Sequence, residues 1–443
     1  MSKATVPHLT ASAPVKSLTV RVVKGPDAGR AHEASGHQLT IGTATDNDLI
    51  LGDETVSRYH LQLQHLGDRI LAQDLGSTNG TVSGSIAIER ATITPGTVLS
   101  LGKTQIRIDD GAVVEMELAA EEQIGNVRGR SPAMRNLLAR VEKIARSDAS
   151  VLLGGETGVG KEVVARAIHE LSQRADGPFE TVDCGALSPT LVASELFGHE
   201  KGSFTGADRE RDGAFQRASG GTLFLDEIGE LPPSLQTALL GALERRVIRR
   251  VGGDKAIPID VRVVCATHRD LRSEVNSESF RQDLYYRIAV VVLRIPPLRE
   301  RIEDIPLLVE HFLHEAGHSG PVEELFPPGA MAGLVRHRWP GNVRELRNFV
   351  EAALAIGEAP TLDGELAPSV SSGAGEGMFT AGALSQLLPS SYKAARAQVL
   401  DNFDRLYLRA LLDRCEDNVS EAARRSEIHR SYLNLMLKRH HFR

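Results

Sequence analysis

The chain of 443 residues is poor in most of the features that would give a quick functional class. Its three cysteines, Cys184, Cys265 and Cys415, are odd in number and far apart, which excludes a disulfide framework, offers no zinc spacing and suggests a reducing, cytoplasmic compartment. Aromatics make up 4%, so no base-stacking sheet is advertised. No run approaches the roughly 18 apolar residues of a membrane span, and the opening MSKATVPHLTASAPVKS lacks the apolar centre of a secretory signal. Positive charge is not in excess: 51 Lys and Arg stand against 58 Asp and Glu, a formal charge of -7, so any nucleic-acid contact must come from a local patch. What is present is 41% hydrophobic and 25% charged side chains, ordinary for a globular protein, over a length that suits about three folded units.

Those units are expected to be of different classes. Over residues 18–110 short alternating runs (LTVRVV, QLTIG, VLSLG, TQIRI) between turn signals predict an all-β sandwich. The acidic stretch DDGAVVEMELAAEEQIGN is expected to be a connector, with a helix as one reading. Over 127–357 helical patterns alternate with apolar strands such as SVLLGG, TLFLDE and VRVVCAT, which predicts a parallel α/β domain. Residues 358–390, rich in Pro, Gly, Ser and acid, read as a flexible linker. Over 391–443, Leu400, Phe403, Tyr407, Ala410 and Leu411 recur at helical spacing, so an all-α unit closes the chain.

Two motifs carry chemistry. VLLGGETGVGKE places an apolar strand before Gly155, Glu156, Thr157, Gly158, Val159, Gly160 and Lys161, with a helix behind. Glycines let backbone N–H groups curl around phosphates, Lys161 neutralises the β and γ oxygens, and the helix N-terminus adds partial positive charge. Glu162 stands where most such loops carry a hydroxyl for Mg²⁺, and a carboxylate can hold that metal. Further on, GGTLFLDEIGE ends an apolar strand in Asp226 and Glu227, placed to hold Mg²⁺ and to orient or deprotonate a water. ATP hydrolysis with Mg²⁺ follows as the expected activity.

ELFGHEKGSFTGA (195–207), FRQDLYYRI, IPPLRER and WPGNVRELRN, taken with those motifs, resemble the AAA+ ATPase domain of the bacterial enhancer-binding proteins that activate sigma-54 RNA polymerase. The resemblance implies a homo-oligomeric ring whose loop of Gly202, Ser203, Phe204, Thr205, Gly206 and Ala207 grips sigma-54. It implies arginine fingers at Arg281 and Arg287 that reach a neighbouring subunit's nucleotide, a lid sensor at Arg344, and a sensor at Thr267 and His268. The stretch ERRVIRRVGG would be a second surface loop, its arginines either functional or simply solvated. Asp183 stands where that family usually has an Asn bonded to the catalytic glutamate; an ionised Asp cannot donate to Glu227 and would repel it.

TIGTATDNDLILGDETVSRYH followed by DLGSTNGT resembles the forkhead-associated (FHA) domain, a sandwich that binds phosphothreonine. That resemblance implies phosphate contacts from Ser57 and Arg58, peptide contacts from Thr78 and Asn79, and support from His60, with Thr43 where the family commonly has an Arg. The competing use of such a fold is intramolecular docking. CEDNVSEAARRSEIHRSYLNLMLKRHHFR resembles a Fis-like helix-turn-helix. It implies DNA contacts from Arg430, Ser431, Tyr432, Asn434, Lys438 and Arg439, and supplies the local basic patch. Together these resemblances imply a sigma-54-dependent regulator that binds upstream activator DNA and answers to a phosphothreonine protein or Ser/Thr kinase, with no membrane partner. The alternatives are an AAA+ remodeller of another target and a DNA-binding phosphopeptide adaptor with impaired ATPase coupling.

Overall fold

The structure is a computed structural model that describes residues 11–362 other than 35, 37, 67, 68, 187, 206 and 361, together with Leu408, Val419, Arg425 and Leu437. Residues 366–443 form a separate unit, in which those four positions are helical, Leu408, Val419 and Leu437 buried and Arg425 exposed. All six candidate DNA-contact residues lie outside the described residues.

The N-terminal region folds as two packed sheets. One runs in the order Ala31–Glu33, Ala11–Lys24, Thr104–Leu118, Thr97–Leu101, Thr81–Ser83, Ile86–Ile88. The other runs Leu49–Ile50, Gln38–Gly42, Leu61–Leu66, Arg69–Asp74, Arg90–Ile93. Period-2 alternation aims Leu18, Val20 and Val22 from one sheet at Leu39, Ile41, Leu61 and Leu63 from the other, each 0–1% exposed. Each such side chain stabilises the sandwich by about 1.5–3 kcal/mol.

The first half of the acidic stretch, from Asp110 to Leu118, is strand, not a helical or irregular connector. The strand Thr104–Leu118 continues through it, pairing Val114 with Val15 and Leu118 with Ala11. The reason is legible afterwards: Val114, Met116 and Leu118 alternate with Val113, Glu115 and Glu117, a strand period hidden by the acidic composition.

The α/β domain is built on β1 (Val151–Gly154), α1 (Lys161–Glu170), β2 (Phe179–Asp183), β3 (Thr222–Asp226), β4 (Arg262–Thr267), α2 (Leu271–Asn276), α3 (Gln282–Ile288) and β5 (Val291–Arg294). The strands are all parallel in the order β2-β3-β4-β1-β5. Buried on both faces, they read as continuous apolar runs: every residue of β4 is buried, with Cys265 in one apolar cluster and Val264 and Ala266 in the other. Parallel direction puts the ends of β1, β3 and β4 at one edge of the sheet, where such folds bind ligands. A helical lid follows, formed by Ile305–Glu315, Pro328–Arg336 and α4 (Asn342–Ile356) around the fully buried Trp339.

Candidate functional site

The loop after β1 closes on itself because glycine occupies its tight points. Gly158 has φ 80° and an added Cβ would sit 2.3 Å from the Gly341 oxygen; Gly160, with φ 102°, caps the start of α1. Gly155 donates its N–H to the Thr267 oxygen (3.2 Å), tying the loop to the end of β4. Lys161 opens α1 almost wholly buried, its Nζ 3.1 Å from the Gly155 oxygen and 3.4 Å from Glu227 Oε1.

The outer side of the loop is held by the lid, a set of contacts that sequence reasoning missed. Arg299 makes a two-pronged ion pair with Glu156 (2.6 and 2.8 Å). Asn342 donates to Glu156 Oε2 and to the Thr157 oxygen (both 3.1 Å), and accepts from the Leu298 N–H (2.8 Å). Arg301, 2% exposed, donates to the Val159 oxygen (2.9 Å), and the Arg344 N–H reaches the Gly158 oxygen (3.2 Å). The Arg344 side chain is exposed. Arg299 and Arg301 lie in IPPLRER and Asn342 in WPGNVRE, stretches whose only sequence signal was the resemblance itself.

At the end of β3, Asp226 and Glu227 diverge. Burial, with the charges of Glu227 and Asp183 adding to it, pushes the Asp226 carboxyl above its ordinary range. Burial also works against ionised Glu227, but the hydrogen bond from His268 and the charge of Lys161 outweigh it and hold Glu227 below its ordinary range. His268 Nδ1 lies 2.6 Å from Glu227 Oε2, and the His268 N–H lies 3.2 Å from the same oxygen. Glu227 itself sits at φ 50°, uncommon outside glycine and a mark of a functional constraint. Thr267 is buried, its hydroxyl accepting from the Arg269 N–H (3.0 Å).

Two candidates are engaged elsewhere, Asp183 by its own loop and Glu162 by its own helix. Asp183 makes no pair with Glu227; its Oδ1 accepts from the N–H groups of Gly185 (2.9 Å) and Ala186 (3.1 Å), which satisfies its charge locally. Glu162 does not join Asp226. It lies on the exposed face of α1 and pairs with Arg166 one turn on (3.4 Å), as helical i,i+4 spacing favours. No group of three His, Cys, Asp or Glu side chains poised for a metal occurs among the described residues. A Mg²⁺ ion that keeps waters and phosphate oxygens as ligands needs only one or two carboxylates, and the half-buried Asp226 fits that need.

Arg281 caps the start of α3 and Arg287 lies in its last turn, both at the surface. Arg281 is engaged by its own Asp283 (3.0 and 2.7 Å), and Arg287 donates to the Leu243 oxygen (2.8 Å). The GSFTGA loop rises between the paired segments Gly198–His199 and Arg211–Asp212. Phe204 packs edge-on to His199 (5.0 Å between centroids), Thr205 is exposed, Ala207 is buried, and Gly206 is outside the described residues. The ERRVIRRVGG stretch clasps this loop: Val251 bridges to His199, and Arg250 forms ion pairs with Glu200 (3.3 Å), Glu210 and Asp212. Arg250 is thus a structural tie, not a solvated charge.

On the sandwich, the loop of Thr55 and Ser57 meets that of Thr78 and Asn79. The Thr78 N–H donates to Ser57 Oγ (2.9 Å) and Asn79 Nδ2 to the Thr55 oxygen (2.8 Å); Arg58, Thr78 and Asn79 are exposed. His60 is fully buried, accepts from the Ser57 N–H (3.1 Å) and donates through Nε2 to the Gly80 oxygen (3.2 Å), joining the two loops. Burial holds its pKa below the ordinary range, so the ring works as a neutral tie. Tyr59, between them, faces the α/β domain. A cavity of about 830 Å³ separates the two domains beside this contact, lined by Thr40, Gln62 and Arg90 on one side and by Glu156, His268 and Arg294 on the other.

Three family models match the chain: a sigma-54 interaction domain over residues 127–294, an AAA+ ATPase lid domain over 299–376, and the cytoplasmic domain of the inner membrane component of T3SS over 21–111. The transcriptional regulatory protein ZraR of Salmonella typhimurium is 51% identical over 243 residues, 55% of each chain, so the match spans about half of that relative's length. ZraR of Salmonella typhi is 43% identical over 326 residues, 73% of this chain and 71% of that one. Among solved structures, NtrX from Brucella abortus in complex with ATP is 35% identical, with a TM-score of 0.50 over 72% of this chain and 70% of that one. With a phosphate loop, an acidic strand end and a lid already placed around one site, the chain belongs to the family of sigma-54-interacting transcriptional regulators and carries its AAA+ ATPase module.

Proposed function

We propose that this chain is a sigma-54-dependent transcriptional activator that hydrolyses ATP to remodel closed promoter complexes of sigma-54 RNA polymerase. In this reading a Fis-like helix-turn-helix over 391–443 holds it at upstream activator DNA. Phosphothreonine, written by a Ser/Thr kinase, reaches it through an FHA sandwich over 18–110. The observation that carries the reading is the meeting of Lys161, Asp226, Glu227 and His268 at one edge of the parallel sheet, under a lid that grips the phosphate loop.

Each group has a task. Lys161 exchanges the Gly155 oxygen and Glu227 for phosphate oxygens of ATP. Glu227, held ionised, takes a proton from the attacking water once His268 releases it. Asp226 would hold Mg²⁺, which when bound neutralises phosphate charge and lifts the penalty that burial places on this carboxylate. Arg281 and Arg287 serve a neighbouring copy of the ring, Arg344 and the lid follow nucleotide state, and Phe204 and Thr205 contact sigma-54. Ser57, Arg58, Thr78 and Asn79 present donors to a phosphorylated peptide.

The experiment is sigma-54-dependent open-complex formation with purified protein, read beside phosphate release. Lys161→Ala abolishes hydrolysis and leaves DNA binding intact, and Thr205→Ala loses trapping of sigma-54 by a transition-state analogue of ATP. Turnover retained by Lys161→Ala would sink the site; trapping retained by Thr205→Ala would point to another remodelling target.

A further inference from the structure

The GSFTGA loop is folded onto a seat made by the ERRVIRRVGG stretch. The Gly202 N–H donates to the Ala207 oxygen (2.8 Å), the Ser203 N–H to the Glu200 oxygen (3.2 Å) and the Ala207 N–H to the Phe204 oxygen (3.0 Å). The Glu200 N–H reaches across to the Val251 oxygen (3.0 Å). Glycines give the seat its depth: an added Cβ at Gly252 would stand 2.6 Å from Ser203 Cβ, and one at Gly253 would stand 2.9 Å from Glu200 Cγ. Pressed into that seat, the Ser203 hydroxyl is closed to solvent and has no hydrogen-bond partner among the described residues. A hydroxyl taken out of water unpaired works against the conformation that buries it, on the scale of roughly a fivefold to a hundredfold shift in equilibrium. Alanine would fill the same seat without that penalty.

We propose that Ser203 is a positioning residue that biases the GSFTGA loop toward leaving its seat, because its hydroxyl regains hydrogen bonds with water once the loop rises. Phe204 is half-buried against His199 in the seated loop, so a sigma-54 contact through the whole of that ring requires it to leave. Foot and top of the loop oppose each other. Arg250 holds the foot through Glu200, Glu210 and Asp212, whereas Ser203, further along, weakens the top. Without the unmet hydroxyl the clasp would favour the seated loop more strongly. With it the two states lie closer in free energy, and a smaller differential interaction with nucleotide or sigma-54 suffices to exchange them. This role rests on the proposed contact of Phe204 and Thr205 with sigma-54.

The test is hydrogen exchange of the full chain without sigma-54, read at the Gly202 and Ala207 amides, whose intrinsic exchange does not depend on the Ser203 side chain. Ser203→Ala slows exchange at both by roughly fivefold or more, the lower end of what an unsatisfied hydroxyl costs. Gly252→Ala, which presses a methyl into Ser203 from the opposite side, speeds it. Exchange in Ser203→Ala that matches the parent's or runs faster overturns the inference, and so does a Gly252→Ala chain whose loop exchanges no faster than the parent's. With an ATP transition-state analogue, Ser203→Ala needs about fivefold more sigma-54, or beyond, for half-maximal trapping, since fewer loops stand ready. Undiminished trapping beside slowed exchange denies Ser203 this role. A parent chain that traps no sigma-54 strikes the proposed function, while the exchange rates still judge the bias at Ser203.

Discussion

His268 holds Glu227: Nδ1 stands 2.6 Å from Oε2, and the His268 N–H reaches the same oxygen at 3.2 Å. Lys161 lies on the other carboxylate oxygen, so Glu227 is gripped from both sides at a left-handed backbone position. The side chain that orients the proposed base therefore comes from the end of β4, while the carboxylate of Asp183, at the end of β2, is turned to its own loop.

His268→Ala is expected to lower kcat for ATP hydrolysis by on the order of ten- to a hundredfold, the scale of a misplaced catalytic group, with a much smaller change in KM. His268→Asn keeps a donor and recovers part of the loss. Steady-state phosphate release over a range of ATP concentrations separates the two parameters. Equal loss in both variants, or a change confined to KM, would remove His268 from this role.

Much of this was legible in the sequence, for reasons that differ by element. The phosphate loop and the acidic strand end were readable because backbone curvature and charge placement dictate residue types at fixed spacing, and Lys161 meets Glu227 across 66 positions as that chemistry requires. The strand over Asp110–Leu118 was hidden because composition was weighed over alternation. Asn342 and Arg299 could not be read as loop holders, since neither has a local pattern; their partners lie 186 and 143 residues away. Tyr59 was equally opaque, as a sandwich-core tyrosine and one packed against Tyr285 of the α/β domain look the same in sequence.

The Glu156–Arg299 pair gives a pH-dependent increment of stability. The hydrogen bonds from Arg299, and less so from Asn342, lower the Glu156 pKa from 4.5 to about 2. A lowered carboxyl pKa contributes stability that is full above the unfolded value and is lost as pH falls through the folded one. With the Glu156 side chain 42% exposed, solvent screening limits the increment to under about 1 kcal/mol. Urea unfolding of the parent and of Glu156→Gln should differ by that amount at neutral pH, and the difference should shrink below pH 4.5 toward about 2. A difference that grows on acidification would contradict the pairing.

The sandwich edge makes its own prediction. Ser57 Oγ already accepts from the Thr78 N–H, so a phosphate arriving there finds hydroxyl, backbone N–H and the exposed Arg58 together. Bonds to a charged partner are worth roughly 1.5–3 kcal/mol, so Ser57→Ala and Arg58→Ala should each weaken a phosphothreonine peptide by on the order of tenfold or more. Arg58→Ala should also flatten the salt dependence of binding. Titration calorimetry with the phosphorylated and unphosphorylated peptides decides it, and equal affinity for the two would leave intramolecular docking as the sandwich's use.

Arg250 separates hydrolysis from its mechanical output. Its side chain is 15% exposed, and its guanidinium ties Glu200, at the foot of the GSFTGA loop, to Glu210 and Asp212 on the returning segment. Removing it leaves three carboxylates close together without their cation, so the foot of the loop should open while Lys161, Asp226 and Glu227 are untouched. Arg250→Ala is therefore expected to keep ATPase activity within about twofold of the parent, since substitutions away from the chemistry usually shift energies by less than about 0.5 kcal/mol. Trapping of sigma-54 by an ATP transition-state analogue should fall by on the order of tenfold or more, on the scale of breaking a partly buried charge cluster. Arg250→Lys keeps the charge but not the three-way fork and should recover only part of the trapping. Loss of ATPase activity in step with trapping would instead place Arg250 in the support of the nucleotide site, and unchanged trapping would free the GSFTGA loop from dependence on this clasp.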